Sequence, residues 1–103
     1  MVSVLSCADA DHKAALAQQL AGAWHDGAIS IVGHAPVPDR PARPVTPALL
    51  APRDMPKRGK AGSPTGRIAL LHALAHIELN AVDLACDIIA RFSVFNLPRG
   101  YYD

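Results

Sequence analysis

One carboxylate, Glu78, stands out among the residues that could bind a metal ion. It is the only glutamate of the 103-residue chain, and its neighbours at helical spacing include Leu74, Ala75 and Ala81. We expect Glu78 to point into the core that its helix builds. A buried carboxylate must be neutral, bound to a metal, or paired with a cation such as Arg67 or an arginine of the proline-rich segment.

Two histidines, His72 and His76, lie four residues apart, the spacing at which one helix can offer two imidazoles to a metal. Asp83 follows further along the same stripe. The spacing is common, and no HExxH glutamate accompanies it, so a hydrogen-bonded polar face is the competing interpretation. Glu78 lies about 200° around the helix from His76, so one ion is not easily held by all three residues.

Other catalytic chemistry is scarce, and we predict no catalytic residue. The glycines around Lys60 follow no strand, so they do not form a phosphate-binding loop. Cys7 and Cys86 lie far apart and outside any CxxC motif, which predicts reduced thiols and neither a disulfide framework nor a zinc knuckle.

The element that carries these residues is a helix predicted from about Gly66 to Phe92. Ser63 followed by Pro64 is typical of a helix start, and the helix should end before Asn96, Leu97 and Pro98. At 1.5 Å per residue it is about 40 Å long. Such a helix in a short chain needs partners to cover its surface.

The helical period separates two faces of this helix. A polar stripe consists of His72, His76, Asn80, Asp83 and Asp87. The apolar side, which we expect to build the core together with Glu78, consists of Leu70, Leu71, Leu74, Ile77, Ala81, Val82, Leu84, Ala85, Ile88 and Ile89.

Residues 1–34 form an N-terminal segment with a predicted helix over 6–26. Ser6 is its predicted N-cap and Gly27 its stop, since apolar residues recur every four positions from Leu16. The stretch Ala28 to Val32 is either a lone strand or buried coil.

Residues 35–64 form a strap, in which eight of the nine prolines fall, so no long helix or central strand is expected there. Val45, Leu49, Leu50 and Met55 suggest that the strap lies along an apolar surface. A solvated linker and a contact with RNA or another anion are the alternatives. The basic residues behind the RNA alternative are Arg40, Arg43, Arg53, Lys57, Arg58 and Lys60.

The whole composition predicts a small cytoplasmic domain. The net charge is only +1, and half of the residues are apolar, so there is no global signal for nucleic acid or for an anionic membrane surface. No uninterrupted apolar run approaches the roughly 18 residues of a membrane span, and the start lacks a signal-peptide pattern. We therefore expect no membrane partner.

The stretch from Arg67 to Phe92, RIALLHALAHIELNAVDLACDIIARF, together with the preceding proline-arginine strap, resembles an uncharacterised family of ferritin-like proteins. The motif HIELNAVDL at 76–84 carries the resemblance. It implies a four-helix bundle with a di-iron carboxylate site, distantly similar to a tRNA hydroxylase group. Glu78 then matches a lone-glutamate ligand, while His72 and His76 take supporting or structural roles around the metal.

The resemblance also implies missing parts. Di-iron bundles take a lone Glu from each of two helices and a Glu-x-x-His from each of the other two, and this chain has no Glu-x-x-His. We expect a mostly α architecture: a short N-terminal helix, the strap, and residues 65–103 as the first long helix of an incomplete ferritin-like bundle with its exit loop. Iron should be absent from the isolated chain, which we expect to be inactive alone.

Its partner would be a missing C-terminal portion or further copies of the same chain. The alternative function is a non-enzymatic helical module that docks on a partner or self-associates.

Overall fold

Three helices account for most of the fold. The computed structural model describes residues 1–57, 59–60 and 62–103. Helix α1 spans Val2–Leu5, α2 spans Ala10–His25 and α3 spans Pro64–Phe92. Short 3-10 turns lie at Pro52–Asp54, Ser93–Phe95 and Arg99–Tyr101. No strand occurs in the described residues, so the mostly helical prediction is confirmed.

The long helix begins and ends where local sequence signals place it. The Ser63 hydroxyl accepts a hydrogen bond from the Gly66 amide at 3.0 Å, and Pro64 occupies the first turn. This satisfies one of the amides that lack a partner at a helix start. After the turn that follows α3, Asn96 adopts the left-handed conformation with φ 48°, which the short polar side chain of Asn tolerates.

The N-terminal segment differs from the single helix predicted over 6–26. Ser6 closes α1, and Asp9 in an extended conformation caps α2 by accepting from the His12 amide at 2.8 Å. Asp9 interrupts the helix because its side chain accepts a hydrogen bond from a backbone amide of the next turn, which favours a new helix start over a continuous helix. The Ala28 to Val32 stretch is coil, since no described strand lies beside it.

The first part of the strap packs on the helices. The Ala42 amide donates to the Leu5 carbonyl at 2.7 Å, and Arg91 donates to the Pro38 carbonyl at 3.2 Å. The expectation that the later apolar residues of the strap lie along an apolar surface is wrong: Val45, Leu49, Leu50 and Met55 are all exposed. The predicted basic residue Arg58 lies outside the described residues.

The core is small, and α3 faces it differently from the prediction. Val4, Leu5 and Cys86 are its buried apolar members. Asp83, which belongs to the predicted polar stripe, is buried at 4% exposure. The part of the polar stripe around Asp83 therefore faces the rest of the chain, and most of the large apolar residues of α3 face outward. The reason is that Asp83 pairs with Lys13 and Arg43 from distant segments, and the periodicity of α3 carries no information about such pairs.

Helix α3 with its following turn, Pro64–Phe95, is long and apolar enough to cross a membrane by length and composition alone. The search for uninterrupted apolar runs did not find this helix, because isolated polar residues interrupt a stretch whose mean hydropathy is high. Core helices of soluble bundles pass the same test. Helix α3 also contacts both α1 and α2, so one of its sides is already occupied within the chain.

Candidate functional site

The three predicted metal-site residues lie along one cleft. A cleft of about 450 Å³ separates the start of α2, the strap and the middle of α3. His72, His76 and Glu78 all line it, together with Asp11 of α2 and Arg43 of the strap. The structure thus places both imidazoles and the glutamate beside the same opening.

His76 is held by a polar chain of contacts that reaches the strap. The His76 Nε2 atom lies 3.2 Å from the Asn80 side-chain nitrogen. Arg43 in turn donates to the Asn80 side-chain oxygen. An amide nitrogen can only donate, so His76 Nε2 accepts in this arrangement. His76 therefore helps to orient Asn80, which receives the strap arginine.

Glu78 is exposed in this chain, whereas its apolar neighbours at helical spacing predicted a position in the core. It lies where the cleft meets the outward apolar residues of α3. The difference follows from the rotation of α3: Asp83, about 140° away around the helix, points inward instead. An exposed carboxylate keeps its hydration, so Glu78 needs neither a cation nor a metal ion to be stable in this arrangement.

The described residues hold no group of three or more His, Cys, Asp and Glu side chains placed to bind a metal ion. A di-iron centre of the ferritin type uses about six such ligands. The donor set of this chain, with one glutamate and no Glu-x-x-His, does not fit a di-iron centre by itself.

A buried ion cluster beside the cleft was not foreseen. Lys13 of α2 lies 2.6 Å from Asp83 Oδ1 and also donates to the Ala42 carbonyl at 2.8 Å. Arg43 Nη2 lies 2.8 Å from Asp83 Oδ2. That oxygen accepts no aligned hydrogen bond from the described residues, so its contact with Arg43 is mainly electrostatic.

The cluster joins the three parts of the chain. Lys13 is 1% exposed and Asp83 4%, and neither is stable inside a protein without an opposite charge. Two features of the sequence could have indicated this pair: Asp83 lies in a largely apolar helix, and Lys13 lies in an alanine-rich one. Their pairing over 70 positions could not be read from spacing.

A second cavity of about 640 Å³ lies between α2, α3 and the coil that follows α2. Trp24, Ile29 and Cys86 are among its lining residues, and burial raises the pKa of the Cys86 thiol. At its edge His34 Nδ1 lies 3.2 Å from Ser93 Oγ. The Ser93 hydroxyl donates to the Ala90 carbonyl at 2.9 Å, so its proton is engaged by the helix and the pair is not an activated nucleophile.

Among the described residues, the outward side of α3 is a long apolar surface that is left exposed. We call it the apolar face; its large members are Leu70, Leu71, Leu74, Ile77, Leu84, Ile88 and Phe92, which are 37% to 65% exposed. The positions 70, 74, 77, 81, 84 and 88 alternate steps of four and three, the pattern of a helix that packs against other helices.

Comparison with known proteins gives a family. The chain is 51% identical over 51 residues to an "Uncharacterized protein" of Haemophilus influenzae; the match covers 50% of this chain and 17% of that protein. Because 51 residues are 17% of it, the relative is about 300 residues long, and this chain spans only a small part of it. No solved structure matches the chain. A family described as "Protein of unknown function (DUF455)" matches residues 6–103, and the chain belongs to that family.

Proposed function

We propose that this chain is a helix-packing module that acts by covering the apolar face of α3 with further helices. The observation that carries the proposal is the exposure of seven large side chains along one side of a 29-residue helix. Contiguous apolar surface of this kind marks an interaction site in soluble proteins. The opposite side of α3 is held by the Lys13–Asp83 pair and the strap.

The spacing of the apolar face supports helices as the covering elements. Alternating steps of four and three keep its side chains along one seam, which suits ridges-into-grooves packing at 8–10 Å between helix axes. Ala81 and Ala85 lie on the same side, and small residues allow close approach.

The assembled bundle is also where a metal site would form, and this is the second candidate function. The ferritin-like resemblance implies a di-iron oxidoreductase, in which Glu78 would be one carboxylate ligand and His72 and His76 would support the site. The favouring observation is the position of Glu78 at the boundary between the cleft and the apolar face. Bound iron would supply redox chemistry, and this chain would contribute one carboxylate to hold it.

A test of the packing function compares two apolar-to-charged substitutions. Leu71→Glu changes the apolar face, whereas Val45→Glu changes a strap residue that is 92% exposed. The wild-type chain and Val45→Glu should form an assembly larger than 10.9 kDa by size-exclusion light scattering, and Leu71→Glu should be a folded monomer. A wild-type monomer that binds no apolar dye would overturn the proposal.

The metal candidate has its own readout on the assembled protein. If assembly completes a metal site, iron remains with the wild-type assembly after anaerobic incubation with ferrous iron and gel filtration, and is lost from Glu78→Ala. Asp54→Ala, which removes an exposed strap carboxylate, serves as the control. Equal iron content in all three proteins would rule out Glu78 as a ligand.

A further inference from the structure

Two charges of opposite sign, Arg67 and Glu78, lie along the margin of the apolar face. We propose that a second copy of this chain covers the N-terminal half of the apolar face, with the two α3 helices antiparallel and each Arg67 paired with the partner's Glu78. The proposal rests on the packing function above and names the partner for it.

The spacing of the two charges supports this pairing. They are eleven positions apart, which is about three helical turns and about 16 Å along the axis. Their directions around the helix differ by only about 20°. Both residues are exposed, and neither forms an ion pair with another described residue. At that distance they cannot pair with each other inside one helix.

An antiparallel partner brings the charges together twice. A two-fold axis between residues 72 and 73 places position 67 of one copy opposite position 78 of the other, and the reverse. Such an interface is isologous, so one register satisfies both ion pairs. A parallel pair in register would instead place like charges opposite one another, which disfavours association.

The same register covers apolar residues between the charges. Leu71 then lies opposite the partner's Leu74, and Leu74 lies opposite the partner's Leu71. These two side chains are 65% and 47% exposed in the single chain. Ala75 and Ala81 flank Glu78 by one turn on each side and leave room for the incoming guanidinium. The centre of the interface is therefore apolar, and the ion pairs lie at its two ends.

The test reverses each charge separately and then mixes the variants. Arg67→Glu and Glu78→Arg each create two like-charge contacts in a self-pair, so each should weaken self-association by roughly tenfold or more. An equimolar mixture of the two variants restores both opposite-charge contacts. It should form a heterodimer with a dissociation constant within about threefold of the wild-type value, measured by light scattering and by fluorescence transfer between labelled chains.

The control reverses an ion pair elsewhere on the surface. Arg53→Glu and Asp54→Arg change an exposed strap pair with an N to O distance of 3.7 Å, and neither should change self-association. Far-UV circular dichroism verifies that every variant keeps its helical content.

Three results would overturn the inference without overturning the packing function. The variants could associate as strongly as wild type, the mixture could fail to form the heterodimer, or the wild-type chain could associate only with a different protein. A wild-type monomer that floats with lipid vesicles of neutral composition would overturn both, since the covering partner would then be a membrane.

Discussion

The Lys13 ammonium lies 2.6 Å from the Asp83 carboxylate, 70 positions away in the chain, and both side chains are at most 5% exposed. Arg43 of the strap approaches the second oxygen of the same carboxylate. One anion thus orders two cations that come from different segments. This arrangement fixes which side of α3 faces the rest of the chain.

Removal of the Asp83 carboxylate should therefore strongly destabilise the folded chain. In Asp83→Ala, Lys13 and Arg43 remain close together without an anion, and the expected loss is about 3–5 kcal/mol of unfolding free energy. Urea unfolding followed by circular dichroism measures it. Asp54→Ala, from the exposed pair with Arg53, should change stability by less than about 0.5 kcal/mol. Similar losses in both variants would show that the buried cluster contributes no more than a surface pair.

The two thiols should differ in reactivity. Cys86 is 4% exposed and burial raises the pKa of its thiol, so the reactive thiolate is scarce and poorly accessible. Cys7 is half-buried in the segment between α1 and α2. With a chromogenic disulfide reagent at pH 8, Cys86→Ser should retain the fast phase and Cys7→Ser only a slow one, at least about tenfold slower. Addition of urea should make the two rates converge. Equal rates in the folded protein would contradict the observed burial.

Two glycines on helices should respond in opposite directions to the same substitution. A Cβ at Gly66 would overlap the Lys60 backbone carbonyl, whereas a Cβ at Gly22 would meet no atom within 4 Å. Gly66→Ala should lower the thermal midpoint, because the strap must move away from the start of α3. Gly22→Ala should raise stability by about 0.5–1 kcal/mol, since alanine loses less backbone entropy in a helix. Stabilisation by both substitutions would show that the strap adjusts freely at Lys60.

The end of α3 should be sensitive to acid through Asp87. Hydrogen bonds from Arg91 at 2.6 and 3.0 Å lower the pKa of the Asp87 carboxyl. Its pKa is lower in the folded than in the unfolded chain, so the stabilisation is complete above the unfolded value near 3.9 and is lost as the pH falls through the folded value. The thermal midpoint of Asp87→Asn should lie below that of wild type at pH 7, and the gap should narrow as the pH falls below the ordinary range of an aspartate. A gap that does not narrow on acidification would assign the effect to something other than the charge.

Much of the secondary structure follows from local signals. Ser63 with Pro64, the apolar period after it, and the αL-tolerant Asn96 determine α3 almost to the residue. The break between α1 and α2 was missed, because Ser6 was predicted as the N-cap of one helix, whereas α2 is capped by Asp9. Whether α2 begins at Asp9 or continues from α1 depends on a single hydrogen bond to the Asp9 side chain. The periodicity of apolar residues gives no information about such a bond.

The orientation of α3 was decided by the tertiary structure alone. The sequence by itself determined that α3 has a polar stripe and an apolar side, and that His72, His76 and Glu78 lie on it. It predicted the apolar side as the core because burial of apolar surface is the usual driving force. The structure instead buries Asp83, because Lys13 and Arg43 arrive from distant segments and neutralise it. Pairing over such separations depends on the path of the chain through space, so the exposure of Glu78 and of the apolar face became visible only in the folded molecule.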